Sequence, residues 1–172
     1  ATAAAQDTPP PIETVQVVPG VHVLYGQGGN IGVSTGSDGM FLIDDQYANL
    51  TDKVVEALAK ISPGQPRFVL NTHWHGDHTG GNENLAAKGS VILAHDRVRE
   101  RMSSDNFSEF FKKTTPPSPP GALPIVTFSD SLSLHVNGDE LRGIHVRAAH
   151  TDGDVFIHFR KANVIHTGDL VF

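Results

Sequence analysis

The sequence predicts an α/β protein in which β-sheets are covered by helices on the outside. Strand-like segments come first and then alternate with helical segments, which is the order expected when helices cover the faces of sheets. Hydrophobic residues make up 38% of the 172 residues and charged residues 19%, which is typical of one folded domain with a sizeable core. No internal repeat divides the chain.

The opening third is predicted to be antiparallel β-structure. Its segments are rich in β-branched and aromatic residues, and turn residues separate them at Pro19-Gly20 and Ser37-Asp38-Gly39. A glycine-rich loop, Gly26–Asn30, separates the second segment from the third. The four predicted strands are Val15–Val18, Val21–Tyr25, Ile31–Thr35 and Met40–Ile43.

The middle of the chain is predicted to alternate between helices and short strands. Residues 51–61 carry hydrophobic side chains at helical spacing, and Pro63-Gly64 marks the end of that helix. Two further helices are expected, one capped by Asn82 and one capped by Asp96. The strands of this region are predicted at Phe68–Leu70 and Val91–Ala94.

The last third is predicted to return to β-structure after a proline-rich segment. Residues 114–124 contain five prolines, which favours an exposed connector, with a lid over a site as the alternative. Asn137-Gly138 is a tight-turn sequence and closes a hairpin that begins at Leu132. The remaining predicted strands are Ile125–Phe128, Gly143–Val146, Val155–Phe159 and Asn163–His166.

The charge and the residue usage restrict the kinds of partner. The formal net charge is −6 and no basic stripe is present, so we expect a small-molecule substrate and no nucleic acid. The chain has ten histidines and no cysteine. A zinc ion would therefore be held by imidazole and carboxylate groups, because no thiolate is available.

Residues 1–14 are interpreted as lying outside the domain, which is expected to span residues 15–172. Ala1–Gln6 resembles the small-residue end of a secretory signal peptide, and a flexible, polar start follows it; a cloning boundary or a merely Ala-rich terminus is the alternative. No hydrophobic run approaches the roughly 20 residues that are needed to span a bilayer. We therefore expect a periplasmic or secreted protein without a membrane segment.

Three groups of polar residues follow the ends of predicted strands. His73–His78, His150 and Asp169 each come a few residues after a strand-like segment. Loops that leave strand ends are where rigid scaffolds present functional groups. Three such loops on one rim would converge on a single pocket.

The spacing within His73-Trp74-His75-Gly76-Asp77-His78 is typical of a metal site. His73 and His75 are two residues apart, so an extended backbone directs both side chains to the same side. Gly76 lets the chain turn, which brings Asp77 and His78 to a second position. Imidazole and carboxylate groups bind zinc at roughly 2.0–2.2 Å, so these four groups can serve two adjacent metals.

Residues 73–81, with the sequence HWHGDHTGG, resemble the signature of the metallo-β-lactamase superfamily. Phe41–Asp44 is similar to the strand and acid that precede this signature. Ala149–Asp154 and His166–Asp169 are similar to the next two ligand motifs, in the same order. The resemblance runs from about Val15 to the end of the chain. It implies an αβ/βα sandwich, in which two sheets pack face to face with helices outside.

The resemblance also implies a role for each site residue. A metal-bound hydroxide would attack the substrate, and Asp77 would orient it and take part in proton transfer. His166 is not counted among the ligands, and the default interpretation of the remaining histidines is packing or solvent exposure. The implied ligands are His73, His75 and His150 for one zinc ion, and Asp77 and His78 for a second, with Asp169 bridging both.

The chain departs from the family pattern in two ways. The subclass of β-lactamases that uses a cysteine for its second zinc is excluded, because Asp169 stands at that place. The family also has a further histidine downstream, which residues 1–172 do not supply, so the second site is expected to be incomplete. The chain is therefore interpreted as the N-terminal half to two-thirds of the fold. It is expected to pair with the missing C-terminal segment or with another chain.

Three functions are consistent with these observations. The first is a zinc-dependent hydrolase that acts on a cyclic amide such as a β-lactam. The second is a hydrolase of lactones or thioesters, and the third is a metal-binding but inactive fragment. The signal-like N-terminus favours the first, because a periplasmic enzyme meets antibiotics before their targets do, which predicts a role in antibiotic resistance.

Overall fold

A computed structural model describes residues 10–109 and 112–171. The predicted signal-peptide remnant falls mainly on residues 1–9, which lie outside the described residues. Within the described ranges, no helix is both long and apolar enough to cross a membrane. The first strand begins at Glu13, slightly before the predicted start of the domain at Val15.

The described residues form thirteen strands and four α-helices. The strands are β1 (Glu13–Val18), β2 (Val21–Tyr25), β3 (Ile31–Gly36), β4 (Gly39–Ile43), β5 (Pro66–Leu70), β6 (Val91–His95), β7 (Asn106–Ser108), β8 (Lys113–Thr115), β9 (Val126–Phe128), β10 (Ser131–Val136), β11 (Asp139–His145), β12 (Val155–Phe159) and β13 (Val164–His166). The helices are α1 (Thr51–Ile61), α2 (Gly76–Thr79), α3 (Asn82–Ala87) and α4 (Asp96–Met102).

Seven strands form the larger sheet, in the order β1-β2-β3-β4-β5-β6-β9. β1 to β4 pair antiparallel through short turns, whereas β5, β6 and β9 are added in parallel because longer connections with helices precede them. Ile43 and Leu70, the last residues of β4 and β5, are register partners, and Leu70 pairs with Leu93, two residues before the end of β6. These three strands therefore end at one edge of the sheet.

Four strands, β10 to β13, form a second sheet that is antiparallel throughout. The predicted turn Asn137-Gly138 joins β10 to β11, and both of its residues have positive φ, as such a turn requires. β13 is an edge strand, since its one neighbour in the sheet is β12. β7 and β8 pair separately as a small hairpin that the sequence did not predict.

Two hydrophobic clusters show how the layers pack. The first packs Val54 and Leu58 of α1 against strand residues such as Val33 and Leu42, so α1 covers the outer face of the larger sheet. The second joins both sheets and contains no helix residue; it is formed by Val21, Ile43, Leu70, Leu93, Leu141, Val155, Ile157 and Phe159. The expected face-to-face packing of two sheets is therefore present.

Both predicted helix caps were wrong by one residue. Asn82 and Asp96 are the first residues of α3 and α4. His95 caps α4 instead, because its ring accepts a hydrogen bond from the Arg97 amide at 3.2 Å. The Asn82 side chain forms a buried amide pair with Asn71, with contacts of 2.9 and 3.1 Å. This pairing satisfies the buried amide better than a cap would.

The proline-rich segment is less extended than predicted. Thr114 and Thr115 belong to β8, and Pro120–Ala122 forms a short 3-10 helix. Ala122 is buried, and its carbonyl accepts a hydrogen bond from the Asn82 side chain at 3.0 Å. This contact anchors the end of the segment beside α3, so it is not a free connector.

Candidate metal centre

The predicted polar groups converge on one rim of the two sheets. Asn71–His75 follows β5 at the edge where the parallel strands end. His150 lies in the loop between β11 and β12, and Asp169 lies in the turn after β13. The larger sheet thus supplies the histidine cluster, and the smaller sheet supplies the other two residues.

Three ring nitrogens form the first donor group. His75 Nδ1 lies 3.1 Å from His73 Nε2 and 2.9 Å from His150 Nε2. All three atoms lie within 4.8 Å of one another, which is the arrangement that one metal ion could occupy. This group contains the three residues that the resemblance assigns to the first zinc.

A second donor group shares one of these residues. It consists of His73, His78 and Asp169, whose ligand atoms also lie within 4.8 Å of one another. Asp169 Oδ1 is 3.2 Å from His78 Nε2, and its Oδ2 is 3.6 Å from His150 Nε2. The Asp169 carboxylate therefore faces a histidine of each group.

Asp77 is placed differently from the expectation. It is not a member of the convergent group, although its Oδ2 lies 3.5 Å from His78 Nε2. The Gly29 amide donates to the same oxygen at 3.2 Å, so the β2–β3 loop fixes the position of this carboxylate. Asp77 is thus adjacent to the second group and held by the β2–β3 loop.

The chemistry of these donors fits a metal ion. His75 Nδ1 faces two other ring nitrogens at hydrogen-bond distance, yet one imidazole nitrogen cannot form ordinary hydrogen bonds with both. His78 Nε2 is buried and has no hydrogen-bond partner within the described ranges, although two carboxylates face it. Imidazole nitrogens beside carboxylate oxygens are a donor set that suits zinc.

A buried acid fixes the orientation of the second imidazole. Asp44 is fully buried and accepts hydrogen bonds from His78 Nδ1 at 2.7 Å and from the Thr72 amide and hydroxyl at 2.7 and 2.8 Å. The Thr72 hydroxyl in turn lies 3.0 Å from His73 Nδ1, which can donate to it. Both buried rings therefore present Nε2 to the site, which is how ligand histidines are usually oriented.

Burial and neighbouring charges shift the pKa values of the cluster. Burial, together with the positive charge of His78, lowers the pKa of His73 to about 3. Burial opposes protonation of His78 too, but the carboxylates of Asp44 and Asp77 outweigh it and raise the pKa of His78 to about 10. The neighbouring His78 ring, 3.5 Å away, lowers the pKa of Asp77 to about 2. His73 is therefore neutral and Asp77 ionised at neutral pH, the forms that bind metal.

The other conspicuous side chains lie outside both donor groups. His166 donates from Nε2 to the Asn30 carbonyl at 3.1 Å and accepts from the Gly168 amide at 3.3 Å, so it supports the turn that carries Asp169. His95 stacks on His145, with ring centroids 3.8 Å apart. Trp74 packs against a small cluster at α4 and is not among the ligands.

The sequence did not reveal the supporting residues of the site. Asp44 was noted only as part of the resemblance, and neither Thr72 nor Gln46 was singled out. The signal available was a run of three polar residues, Asp44-Asp45-Gln46, directly after the hydrophobic strand β4. All three are fully or almost fully buried. Buried polar residues need partners, so such a run after a strand indicates support for a site.

Two packed sheets with a histidine- and carboxylate-lined rim define a fold that carries a candidate metal centre. The family model of the metallo-β-lactamase superfamily matches residues 22–172. The chain therefore belongs to the metallo-β-lactamase superfamily.

Curated relatives and solved structures are similar over different spans. A hydroxyacylglutathione hydrolase of Erythrobacter litoralis is 27% identical over 105 residues, which cover 60% of this chain and 34% of that protein. An atrochrysone carboxyl ACP thioesterase of Aspergillus fumigatus is 36% identical over 103 residues, covering 60% of this chain and 20% of that protein. The chain thus spans about a third of the first relative and a fifth of the second.

The solved structures confirm the predicted fold. A metallo-β-lactamase of Cronobacter sakazakii superposes with a TM-score of 0.77 at 21% identity, covering 94% of this chain and 64% of that chain. A subclass B3 metallo-β-lactamase of Bradyrhizobium japonicum gives a TM-score of 0.71 at 18% identity, covering 90% and 60%. The chain corresponds to somewhat under two-thirds of these structures, as the sequence predicted.

Proposed function

We propose that the chain carries the site of a zinc-dependent hydrolase that acts on an acyl carbonyl. One observation carries the proposal: the ring nitrogens of His73, His75 and His150 converge in a way that hydrogen bonds among them cannot satisfy. Three protein ligands leave the fourth position of a tetrahedral ion open, which is typical of catalytic rather than structural zinc sites.

Zinc, when bound, would supply a water activated near neutral pH and would polarise the carbonyl. The protein's own residues prepare the site for this chemistry. Thr72 and Asp44 orient the rings of His73 and His78 so that each Nε2 points inward. The Asp77 carboxylate is ionised at neutral pH, because the neighbouring His78 ring lowers its pKa to about 2, and it is therefore available to accept a hydrogen bond from the attacking water and orient it.

Two substrate classes are supported by different observations. A cyclic amide such as a β-lactam is supported by the solved metallo-β-lactamases, which are similar in fold. A thioester is supported by the sequence relatives, one named a hydroxyacylglutathione hydrolase and the other an ACP thioesterase. Lactones belong with this second class as activated esters. The third interpretation is that the chain is a metal-binding fragment without hydrolytic activity.

A substrate panel measured together with metal content separates these readings. Nitrocefin, an acyl-thioester and a homoserine lactone are offered to the purified chain with zinc, after chelation, and after zinc is restored. We expect turnover of at least one substrate that chelation abolishes and zinc restores. Metal binding without any turnover would support the inactive fragment. Full turnover after confirmed metal loss would overturn the metal-dependent mechanism.

We also propose that the smaller sheet pairs with a further polypeptide and that the protein is periplasmic or secreted. The exposed edge of β13, where Ile165 is 56% exposed, supports the pairing. Light scattering should then show a mass above the 18.4 kDa of one chain. A monomer with full two-zinc activity would contradict the pairing, and cell fractionation tests the location.

A further inference from the structure

The β2–β3 loop, Gly26–Asn30, lies directly against the second donor group. A Cβ atom on Gly28 would come within 2.4 Å of the Asp77 Cβ, and one on Gly29 would come within 2.2 Å of the His78 ring. Neither glycine has a positive φ, so their backbone conformation does not require glycine. Close approach to Asp77 and His78 is therefore the reason that the loop has no side chains at these positions.

The same loop contacts Asp77 directly and is connected to the Asp169 turn through His166. The Gly29 amide donates to Asp77 Oδ2 at 3.2 Å. The Asn30 carbonyl accepts a hydrogen bond from His166, and the His166 ring accepts one from the amide of Gly168, the residue before Asp169. The position of this loop therefore determines where the Asp77 and Asp169 carboxylates lie.

Gln46 holds the loop in this position. Its side chain is fully buried, its Oε1 accepts from the Gly28 amide at 3.0 Å, and its Nε2 donates to the Gly29 carbonyl. Its own carbonyl accepts from the Gly81 amide at 3.1 Å, just after the histidine cluster. Gln46 has a φ of +66°, an uncommon conformation for a non-glycine residue. The surrounding contacts hold it there.

We infer that Gln46 is a positioning residue for the second metal, acting through the Gly28-Gly29 loop on Asp77. The inference rests on the proposed function, because it assumes that a metal occupies the second donor group. Gln46 touches neither that group nor the substrate position in the hydrogen bonds described. Loss of its amide donor would leave the Gly29 carbonyl unpaired, release the loop and let the Asp77 carboxylate move away.

Asn137 offers a matched control at a distant turn. It too has a left-handed backbone, with a φ of +53°, and its amide also bridges backbone groups. Its Oδ1 accepts from the Asp38 amide at 3.0 Å and its Nδ2 donates to the Gly39 carbonyl at 3.1 Å. It likewise presses on a glycine, since a Cβ on Gly36 would lie 2.8 Å from it. The substitutions Gln46→Glu and Asn137→Asp therefore remove equivalent amide donors. Gln46 lies beside the candidate site, whereas Asn137 does not.

Zinc titration of the full chain tests the inference, by competition with a chromophoric chelator. We expect two binding events in the unchanged protein. Gln46→Glu should weaken the second by about 10- to 100-fold, the range for residues that support metal ligands, and should leave the first unchanged. Asn137→Asp should leave both unchanged. Gln46→Met adds no charge and should weaken the second binding event in the same way as Gln46→Glu. This result would show that the negative charge of glutamate is not the cause of the weakening.

Hydrogen exchange at the Gly29 amide gives a second readout that needs no metal. We expect this amide to be protected in the unchanged protein and to exchange faster in the Gln46 variants. An unprotected Gly29 amide in the unchanged protein would overturn the inference, whether or not the variants fold. A single zinc event in the unchanged protein, an unaltered second affinity, or equal weakening of both events would also overturn it. Absence of any zinc binding would instead overturn the proposed function.

Discussion

The candidate ligands from the larger sheet and those from the smaller sheet are held in different ways. The side chains of His73 and His78 are each 1% exposed, whereas those of His150 and Asp169 are 26% and 24% exposed. The first pair rests on the buried contacts of Asp44. The second pair lies on loops at the surface of the smaller sheet.

This difference indicates which part of the site is already ordered in the metal-free chain. Hydrogen bonds among buried groups are costly to break, so the rings of His73 and His78 keep their orientation in the metal-free chain. The His150 loop depends on its own contacts, in which Asp154 accepts from the Thr151 amide and hydroxyl at 2.6 and 2.7 Å. We therefore expect substitutions near the larger sheet to have the larger effects.

His73→Ala should have the largest effect, because His73 belongs to both donor groups. We expect loss of both zinc-binding events and a fall in hydrolysis of more than about 100-fold, beyond the range for supporting residues. His150→Ala removes a member of the first group only and should retain a second event. Metal content and turnover, measured on the same preparations, check both results.

His135→Ala is the control for the loss of a histidine, since His135 is exposed on β10. It should alter neither metal content nor rate. Equal losses in the His73 and His150 variants would remove the distinction between the two sheets.

Asp44→Asn should have the second largest effect. Asparagine tolerates the positive φ of +63° at this position, so the backbone is not the cause of any loss. The variant loses a buried charge that faces the His78 ring, and breaking such a pair costs about 3–5 kcal/mol. We expect a lower unfolding midpoint without metal and about 10- to 100-fold weaker binding at the second site.

Asp45→Asn is the matched control for this prediction. Burial raises the pKa of Asp45 well above its usual range, which favours the neutral acid, so an amide changes the charge less here than at Asp44. Its hydrogen bond from the Gly81 amide is retained by the amide oxygen. A loss as large as that of Asp44→Asn would show that burial, and not the contact with His78, determines the effect.

The sequence predicted which side chains converge better than it predicted what supports them. The spacing of His73–His78 is a short local pattern. It can therefore be interpreted without knowing how distant parts of the chain fold. Strand ends also placed His150 and Asp169 correctly, because the loops of one rim lie together. The contact of Gly29 with Asp77 depends on the pairing of β2 and β3 beside β4. That arrangement cannot be inferred from either residue alone.

The hairpin of β7 and β8 was missed for a related reason. Each strand has only three residues, and they are mostly polar, so neither has a hydrophobic period. The two caps were missed because Asn82 is paired with Asn71, and because the Asp96 carboxylate accepts a hydrogen bond from the Ser129 hydroxyl at 2.8 Å. A tertiary hydrogen bond of this kind overrides the local preference of a residue for a capping position.

Arg101→Ala should have a small effect, confined to the His150 loop. Arg101 contacts Asp152 through Nε and Nη2, at 3.2 and 2.8 Å, and so joins α4 to that loop. Both side chains are more than a third exposed, so the pair contributes only about 0.2–1 kcal/mol. We expect the first zinc affinity to fall less than about fivefold, while the second affinity is unchanged.

Arg160→Ala is its matched control, because it breaks an exposed ion pair with Glu140 on the smaller sheet, outside the His150 loop. It should leave both affinities unchanged. An effect of Arg101→Ala above tenfold would show that the surface ion pair holds the His150 loop more firmly than its exposure indicates.

The smallest expected effect is a pH dependence at the base of the same loop. Burial lowers the pKa of His95, which stacks on His145 at the end of β11. The unfolded chain therefore binds a proton more readily than the folded one, and stability is lost as the pH falls from about 6.5 towards the lower folded value of the His95 pKa.

His95→Asn keeps an oxygen able to cap α4 and removes this titrating group. With chelator present, its unfolding midpoint should fall less between pH 7.5 and 5.5 than that of the unchanged chain, by on the order of 1 °C. His135→Asn, at an exposed position, should keep the full dependence. An identical pH dependence in the unchanged chain and His95→Asn would show that protonation of His95 does not weaken this side of the site.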